Sequence, residues 1–462
     1  MPALSDLTQS VNLSAGGGLA ASLDGIPLFI GYASGGTPGT VYSFGDVDTL
    51  KSTLVSGPVV EASARVLPGL CYVVTVASDV AGAAGTVAKV SGTGAVTPTV
   101  TGTPVDNLDL RIKIVNGGAV STATFQWSLD AGSTWSPVYT TAATFVLVGT
   151  GVTAAFGAGT YVAGDVFGCS TTAPGFSTSA LTTAWNAYIN STFCGQAEFV
   201  HVVGSAVDAA GSATLATALQ SLLTTSFAAQ NYMSGLIELP DLAAATVATG
   251  MATVDAYLVN AVGGYCTLIS PISGKSMKRP AAHAIVRRAA KVKPHRHIGA
   301  VADGGLEGVT AIAYDERATP VYSAARITSL RTRPPQAGFY VEASKTLISD
   351  TTNCLSDWHS VRVLLKAMRI AGGRLQKYVN GDWDLNADGT LLTSVADAIE
   401  NEVQALLDAG LSGNCSRVIF ALNRSNKLAL TNTLAASVTI QVKGYSTYVT
   451  NTVSAVRTIT TT

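Results

Sequence analysis

The hydrophobic pattern of this 462-residue chain changes its period twice, and that change constrains the fold more than any single motif does. From Ile26 the pattern is that of a small α/β unit. Ile26-Pro27-Leu28-Phe29-Ile30-Gly31 reads as a short buried strand, and Pro58 opens a helix with Val59, Ala62, Val66 and Leu67 on one face. Leu70 to Val76 follows as a second strand. Residues 77–175 then alternate at a period of two, in short runs such as Leu108–Val115, Thr122–Leu129 and Tyr139–Val148, punctuated by Asn116-Gly117, Gly149 and Gly157. Between Asp130 and Asp165 lie 34 residues without a charge. After residue 178 the period returns to 3.6, alternating with strands. A chain that begins an α/β unit, breaks into short strands and resumes α/β calls for a discontinuous core carrying an inserted all-β, sandwich-like domain.

The resumed part is rich in helical stripes. Leu181, Ala184, Trp185, Tyr188 and Ile189 form one, and Leu215, Leu219, Leu222 and Leu223 another, with Ala197–Val203 between them as a strand. Leu236–Leu239 and Tyr265–Ile269 read as strands separated by a helical stretch from Met251 to Ala261, the order expected of a largely parallel sheet. Trp358, Val361, Leu364, Leu365 and Met368 share a further helix face, with Arg362, Lys366 and Arg369 opposite. Leu391 to Leu407 is a long helix closed by Gly410, and Val418–Leu422, Val438–Val442 and Tyr445 onward return to strand. The fold class is mixed α/β and multidomain. The expected divisions are an N-terminal arm at 1–22, α/β core at 23–76, the inserted domain at 77–175, α/β core again at 176–320, a C-terminal α/β domain at 321–442 and a β arm at 443–462.

Lys plus Arg number 28 and Asp plus Glu 29, so charged residues make up 12% of the chain, against about 25% in ordinary soluble domains. The mean hydropathy is +0.35, yet no apolar run exceeds roughly five residues, far below the ~18 a spanning helix needs. Membrane insertion is not expected. A net charge of −1 argues against a nucleic-acid binder, and ample Leu, Ile, Val and Phe against disorder. A surface of Thr, Ser, Ala and Gly with so few charges suits burial against other subunits. Met1–Asp6 has neither a basic segment nor an apolar one, so no signal peptide is expected. Cys71, Cys169, Cys194, Cys266, Cys354 and Cys415 form no C-x-x-C and read as buried free thiols of a reducing compartment.

Four motifs offer chemistry, each beside a plainer reading. Ser128-Leu129-Asp130-Ala131-Gly132-Ser133-Thr134-Trp135 matches the Asp-box hairpin of sialidase propellers, but in a single copy; it reads as a turn, with a carbohydrate-contacting loop as the rival. Asp384-x-Asn386-x-Asp388-Gly389-Thr390 resembles half of a calcium loop, yet its twelfth position is Val395 and it directly precedes a helix, as capping residues do. His295 and His297 have no local Cys or carboxylate set to complete a zinc site. Residues 275–297 hold eight Lys and Arg and no acid, a solvated or partner-facing basic face. Arg287, Arg288 and Lys291 within it, and Glu400, Glu402 and Asp408 on the later helix, are candidates for complementary contacts between subunits. A G-x-S-x-G, an H-E-x-x-H and a phosphate loop are all absent, and Asp130 with Asp165 has no spacing that supports a hydrolase.

Three segments, in order, resemble contractile tail sheath proteins of bacteriophages, the Mu-like myovirus family included. The first is Gly25-Ile26-Pro27-Leu28-Phe29-Ile30-Gly31-Tyr32 with Phe44-Gly45-Asp46, Gly57-Pro58 and the Leu70–Val76 strand. The second is Ser356-Asp357-Trp358-His359-Ser360-Val361-Arg362 leading a helix, then Tyr378-Val379-Asn380, the Gly389 loop and the Leu391–Leu407 helix. The third is the β-rich tail. Residues 77–175, with Phe125-Gln126-Trp127-Ser128-Leu129-Asp130, resemble a β insertion of Mu-like relatives. The resemblance implies a structural subunit, not an enzyme, with no catalytic residue, metal or cofactor. It implies copies stacked in hexameric rings around a tail tube protein, meeting baseplate and tail terminator proteins, and contracting to drive the tube through the host envelope for genome delivery. It implies assembly in the bacterial cytoplasm and residence in the virion tail, with no direct nucleic-acid contact. The arms, with Val11, Leu13, Tyr445, Thr447, Val449, Val453 and Ile459, would join neighbouring subunits. A carbohydrate-binding virion or surface protein, and the sheath of a phage-derived bacteriocin or secretion system, are the alternatives.

Overall fold

The computed structural model describes residues 23–204, 206 and 208–444. Its centre is a six-stranded sheet in the order β17-β16-β15-β1-β3-β2. These strands are β1 (Pro27–Gly31), β2 (Val41–Phe44), β3 (Cys71–Thr75), β15 (Phe199–Val203), β16 (Ser234–Glu238) and β17 (Val259–Val262). All pairs are parallel except β2 with β3. β1, β3, β15, β16 and β17 are buried at every position, as strands covered on both faces must be, which is why they read as unbroken apolar runs. Successive side chains serve opposite faces. Leu28, Ile30, Val74, Val202 and Ile237 pack with α3 (Thr178–Ile189), α4 (Ala209–Ser226) and α5 (Ala244–Met251). Phe29, Val73, Phe199 and Leu236 pack with α1 (Val47–Leu54), α2 (Pro58–Ala64) and α6 (Ala282–Lys291). Two glycines permit the close approaches. A Cβ on Gly57, whose φ is +133°, would meet the Tyr32 carbonyl at 2.8 Å, and one on Gly235 would meet the Leu219 side chain at 2.6 Å.

Between β3 and α3 the chain forms strands alone: β4 (Ala83–Ala84), β5 (Ala88–Ser91), β6 (Thr99–Gly102), β7 (Asp109–Asn116), β8 (Gly118–Ala119), β9 (Thr124–Ser128), β10 (Tyr139–Thr140), β11 (Phe145–Leu147), β12 (Val152–Ala155), β13 (Thr160–Tyr161) and β14 (Val166–Thr172). They make a sheet β10-β9-β7-β14-β4 with β5 beside β14, a three-stranded sheet β11-β12-β6 and the pair β13-β8. Leu110, Ile112, Ile114, Phe125, Phe156, Tyr161 and Phe167 give this region a core of its own. Its two ends meet where Val80 and Gly175 exchange backbone hydrogen bonds of 3.3 and 2.9 Å. It is fastened to the rest by Arg279, which donates to both carboxylate oxygens of Asp106 at 2.8 and 2.5 Å and to the Asn107 carbonyl.

Beyond β17 the sheet β19-β18-β20 comprises β18 (Tyr265–Ile269), β19 (Ser276–Pro280) and β20 (Val309–Ile312), and β21 (Leu330–Arg333) pairs with β22 (Gln336–Val341). A last unit combines α7 (Trp358–Leu375), α8 (Thr393–Gly410), β23 (Arg417–Leu422), the short α9 (Leu428–Thr431) and β24 (Ala436–Gln441). Val363, Ala367 and Ala371 of α7, Ile399, Val403 and Leu407 of α8, and Val418, Phe420 and Leu422 of β23 close its core. α7 belongs to two cores, because its Trp358, Val361 and Leu365 pack into the central sheet's clusters.

Several expectations change. The stretch 251–261 is not helical: α5 ends at Met251 and Val259–Val262 is the edge strand β17. Short apolar runs carry no period that separates the two. Tyr265–Ile269 is a strand, but antiparallel and outside the central sheet. Arg362, placed opposite the apolar stripe of its helix, does not face solvent. It is buried and holds Glu198 of the β14–β15 region through two hydrogen bonds of 2.7 and 2.9 Å. Lys366 pairs with Asp24, and Arg369 donates to the Tyr232 carbonyl. All six cysteines are free, but only Cys71, Cys169 and Cys266 are buried; Cys354 is exposed. β2 and α1 went unread, although Asp46 caps α1 by accepting from the Thr49 N–H at 2.7 Å.

Candidate assembly surface

α8 presents Ala396, Ile399, Val403 and Leu407 to the core at helical spacing, which leaves Asp397, Glu400, Gln404 and Asp408 on the side that runs along β23. β23 pairs antiparallel with β24 from Arg417 opposite Gln441 to Leu422 opposite Ala436. Asn423 donates to the Ala435 carbonyl across the pair at 2.8 Å. Alternate residues therefore aim their backbone groups at β24, and Val418, Phe420 and Leu422 aim theirs away from it. Those outward groups meet α8. Gln404 accepts from the Phe420 N–H at 2.8 Å through Oε1 and donates to the Val418 carbonyl at 3.1 Å through Nε2. Its second amide hydrogen goes to Asp408 at 2.8 Å, so both ends of the amide have a partner that fits only one orientation. Glu400 accepts from the Leu422 N–H at 2.8 Å and is held from behind by Arg424, which also reaches Asp397. The Arg424 hydrogen bond keeps the Glu400 carboxyl below the usual carboxylate range. Among the described residues β24 pairs with β23 alone, and its outward residues Ala436, Val438 and Ile440 are exposed or half-buried.

The basic candidates lie on α6. Arg287 and Lys291 both pair with Glu307, and Arg288 donates to the carbonyls of Gly304 and Gly305. With Asp303 and Leu306 they line an open groove of about 400 Å³. Lys291 and Arg287 hold the Glu307 carboxyl below its ordinary value. Glu402 is taken up by Arg374, Lys377 and Tyr378 at the end of α7. Each set thus has partners within its own subunit. Val11, Leu13, Tyr445, Thr447, Val449, Val453 and Ile459 lie outside the described residues.

The Asp-box is a closed turn. Asp130 accepts from the Ser128 hydroxyl at 2.6 Å and from the Thr134 N–H and hydroxyl at 2.8 and 2.7 Å, while Gly132 takes a φ of +94°. In the 384–390 loop Asp388 accepts from the N–H and hydroxyl of Thr390. His295 contacts Asn414 at 2.6 Å, and the His297 ring lies 5.3 Å from that of His359. Among the described residues no group of three His, Cys, Asp or Glu is placed to hold a metal ion. None of their helices is long and apolar enough to cross a membrane. Beneath the central sheet, Glu238 takes both His201 and His283 at 3.0 Å. Burial outweighs that attraction and pushes His283 down to about 4. Burial likewise brings His359 down to about 3, aided by the neighbouring His297.

No family model and no curated protein matches the chain. Solved structures do. A sheath tail protein of Desulfitobacterium hafniense is similar over 93% of this chain and 99% of its own, with a TM-score of 0.48 and 13% identity. One of Listeria innocua is similar over 92% and 96%, with a TM-score of 0.47 and 12% identity. The sheath complex of PVC, an extracellular contractile injection system, in its contracted state covers 55% of this chain and 70% of its own, at a TM-score of 0.41 and 10% identity. The structural neighbours are sheath proteins.

Sequence reasoning read the helix and both strands of the last unit, and named Glu400 for contacts between subunits and not for the β23 edge it meets here. It missed Gln404 and Arg424. The signal was a polar residue at each turn of α8 in register with the apolar stripe, which becomes a strand-edge partner only once β23 lies alongside.

Proposed function

We propose that the chain is the sheath subunit of a contractile phage tail: copies stack in six-fold rings around a tail tube, and contraction drives the tube through the host envelope to deliver the genome. The observation that carries this reading is the two-stranded sheet β23–β24, whose β24 edge has no strand beside it among the described residues, followed in the sequence by eighteen residues after Gly444. A two-stranded sheet is marginal by itself, and an open edge recruits further strands through backbone hydrogen bonds. Residues 445–462 alternate, are rich in Thr and Val and contain no carboxylate, which suits a strand given to a neighbour. Head-to-tail contacts of this kind do not close on themselves and build open helical filaments. The order of the three sheath-like segments supports the same reading, since the β1–β3 unit and the α7–α8–β23–β24 unit are both formed. Residues 77–175 form an inserted domain on the outside of the assembly, residues 1–22 and 443–462 its arms, and the role is structural.

Electron microscopy of the purified protein across concentration and ionic strength tests this. The full chain is expected to give hollow tubes with a helical repeat, and a variant lacking 443–462 a folded monomer. Tubes from the truncated variant, or only discrete particles from the full chain under every condition, would overturn the proposal.

A further inference from the structure

The two edges of the β23–β24 sheet are not equivalent. Along β23 the amide of Gln404 stands in for a missing strand: one acceptor and one donor, on a single side chain, meet the outward N–H of Phe420 and the outward carbonyl of Val418. Glu400, one helical turn earlier, meets the next outward N–H, that of Leu422. Asp408 fixes the orientation of the Gln404 amide, and Arg424 fixes Glu400. A strand arriving at this edge would have to displace two side chains that are already satisfied. At β24 nothing comparable stands in the way among the described residues.

We infer that Gln404, backed by Glu400, is a specificity-determining residue for assembly, closing the β23 edge so that an extended segment of a second copy of this chain adds at β24 alone. The inference rests on the sheath reading and deepens it by assigning the accepting edge. The occupant is residues 445–462 of another subunit. Those residues follow Gly444 in the sequence, shortly after β24, and carry the alternating Thr and Val pattern of a strand. Confining addition to one edge gives every subunit a single accepting edge for the C-terminal segment of a neighbour. Growth then runs in a single direction and no subunit is bridged on both sides of its sheet.

Residue-resolved hydrogen–deuterium exchange on the full chain, dilute and assembled, tests this. In dilute protein the Phe420 and Leu422 amides are expected to exchange at least tenfold more slowly than those of Val438 and Ile440. On assembly the latter two are expected to slow at least tenfold. Gln404→Ala is expected to expose the Phe420 amide in dilute protein, whereas Gln404→Glu, which keeps the acceptor, leaves it protected. If tubes form while Val438 and Ile440 stay fast, the edge assignment fails and the sheath reading survives. If those amides are already slow in dilute monomer, the subunit's own tail occupies the edge and the inference is overturned. Fast Phe420 exchange in the wild type would overturn the closing role of Gln404. Failure to form tubes at all removes the sheath reading and the second-copy occupant with it.

Discussion

Replacing Arg362 by Leu is expected to destabilise the protein by about 3–5 kcal/mol, the range for breaking a buried ion pair from one side. The figure follows from what Glu198 would lose. Its carboxylate, 1% exposed, accepts three hydrogen bonds, from Arg362 Nε at 2.7 Å, Arg362 Nη2 at 2.9 Å and the Gly25 N–H at 2.5 Å. The substitution removes two of the three and, among the described residues, the one cation in contact with it, and it empties the space where the guanidinium lies 5.3 Å from the Trp358 ring and 5.6 Å from that of Phe199. If the cost is an orphaned charge and not lost volume, then pairing Arg362→Leu with Glu198→Gln should recover about 2 kcal/mol or more. Urea unfolding followed by tryptophan fluorescence reads both values, with Lys291→Ala as the exposed control, expected to cost only about 0.2–1 kcal/mol. A single variant that costs less than about 1 kcal/mol would refute the reasoning. So would a double variant that costs as much as the two single changes added together.

Stability should fall in acid through the buried histidines. His283 is held near 4 in the fold against 6.5 when unfolded, so its contribution is complete above about pH 6.5 and is lost as pH falls toward 4, to a total of about 3 kcal/mol. His283→Gln should flatten that slope in pH-dependent unfolding; an unchanged slope would refute the assignment. Excising residues 81–174 should leave a foldable core, since Val80 and Gly175 are already hydrogen-bonded neighbours, but only if Arg279→Met removes the guanidinium that Asp106 now pairs with. Thermal unfolding of the excised chain with and without Arg279→Met measures the difference, and equal midpoints would contradict it. Asp130→Ala should cost about 1–3 kcal/mol through the loss of a three-bond turn while leaving binding on a glycan array unchanged; glycan binding that disappears with the aspartate would favour the carbohydrate reading.

Much of the architecture was legible because it is local. β1 and β3 are runs of apolar residues, α2 starts at a proline, and the stripes of α3, α4, α7 and α8 repeat at helical spacing. The strands from Ala83 to Thr172 announced themselves through glycine-punctuated alternation. What could not be read are features completed from far away. Arg279 looks like a member of a solvated or partner-facing basic face, and Arg362 like a charge opposite an apolar stripe, until Asp106 and Glu198 arrive from 173 and 164 residues earlier. Arg287, Arg288, Lys291, Glu400 and Glu402 were expected to meet complementary charges on other subunits, and the spacing along the chain gave no sign that Glu307 pairs with Arg287 and Lys291, Arg424 with Glu400 and Arg374 with Glu402 inside the subunit. Gln404 is the sharpest case: a helix surface amide carries no mark in sequence of the strand whose edge it meets.

The double membership of α7 also sets a timetable for synthesis. The strands of the central sheet are complete once Val262 has been made, yet Glu198 waits another hundred residues for its counter-ion. At about 5–20 residues per second, the hundred residues from Val262 to Arg362 take roughly 5–20 seconds to translate. Through that interval the nascent chain holds an almost finished sheet with a bare carboxylate at its margin and no Trp358, Val361 or Leu365 to cover it. A message cut short anywhere before α7 therefore yields a sticky fragment and not a smaller stable protein. The segment from α7 onward is a checkpoint on the folding of the sheet that precedes it.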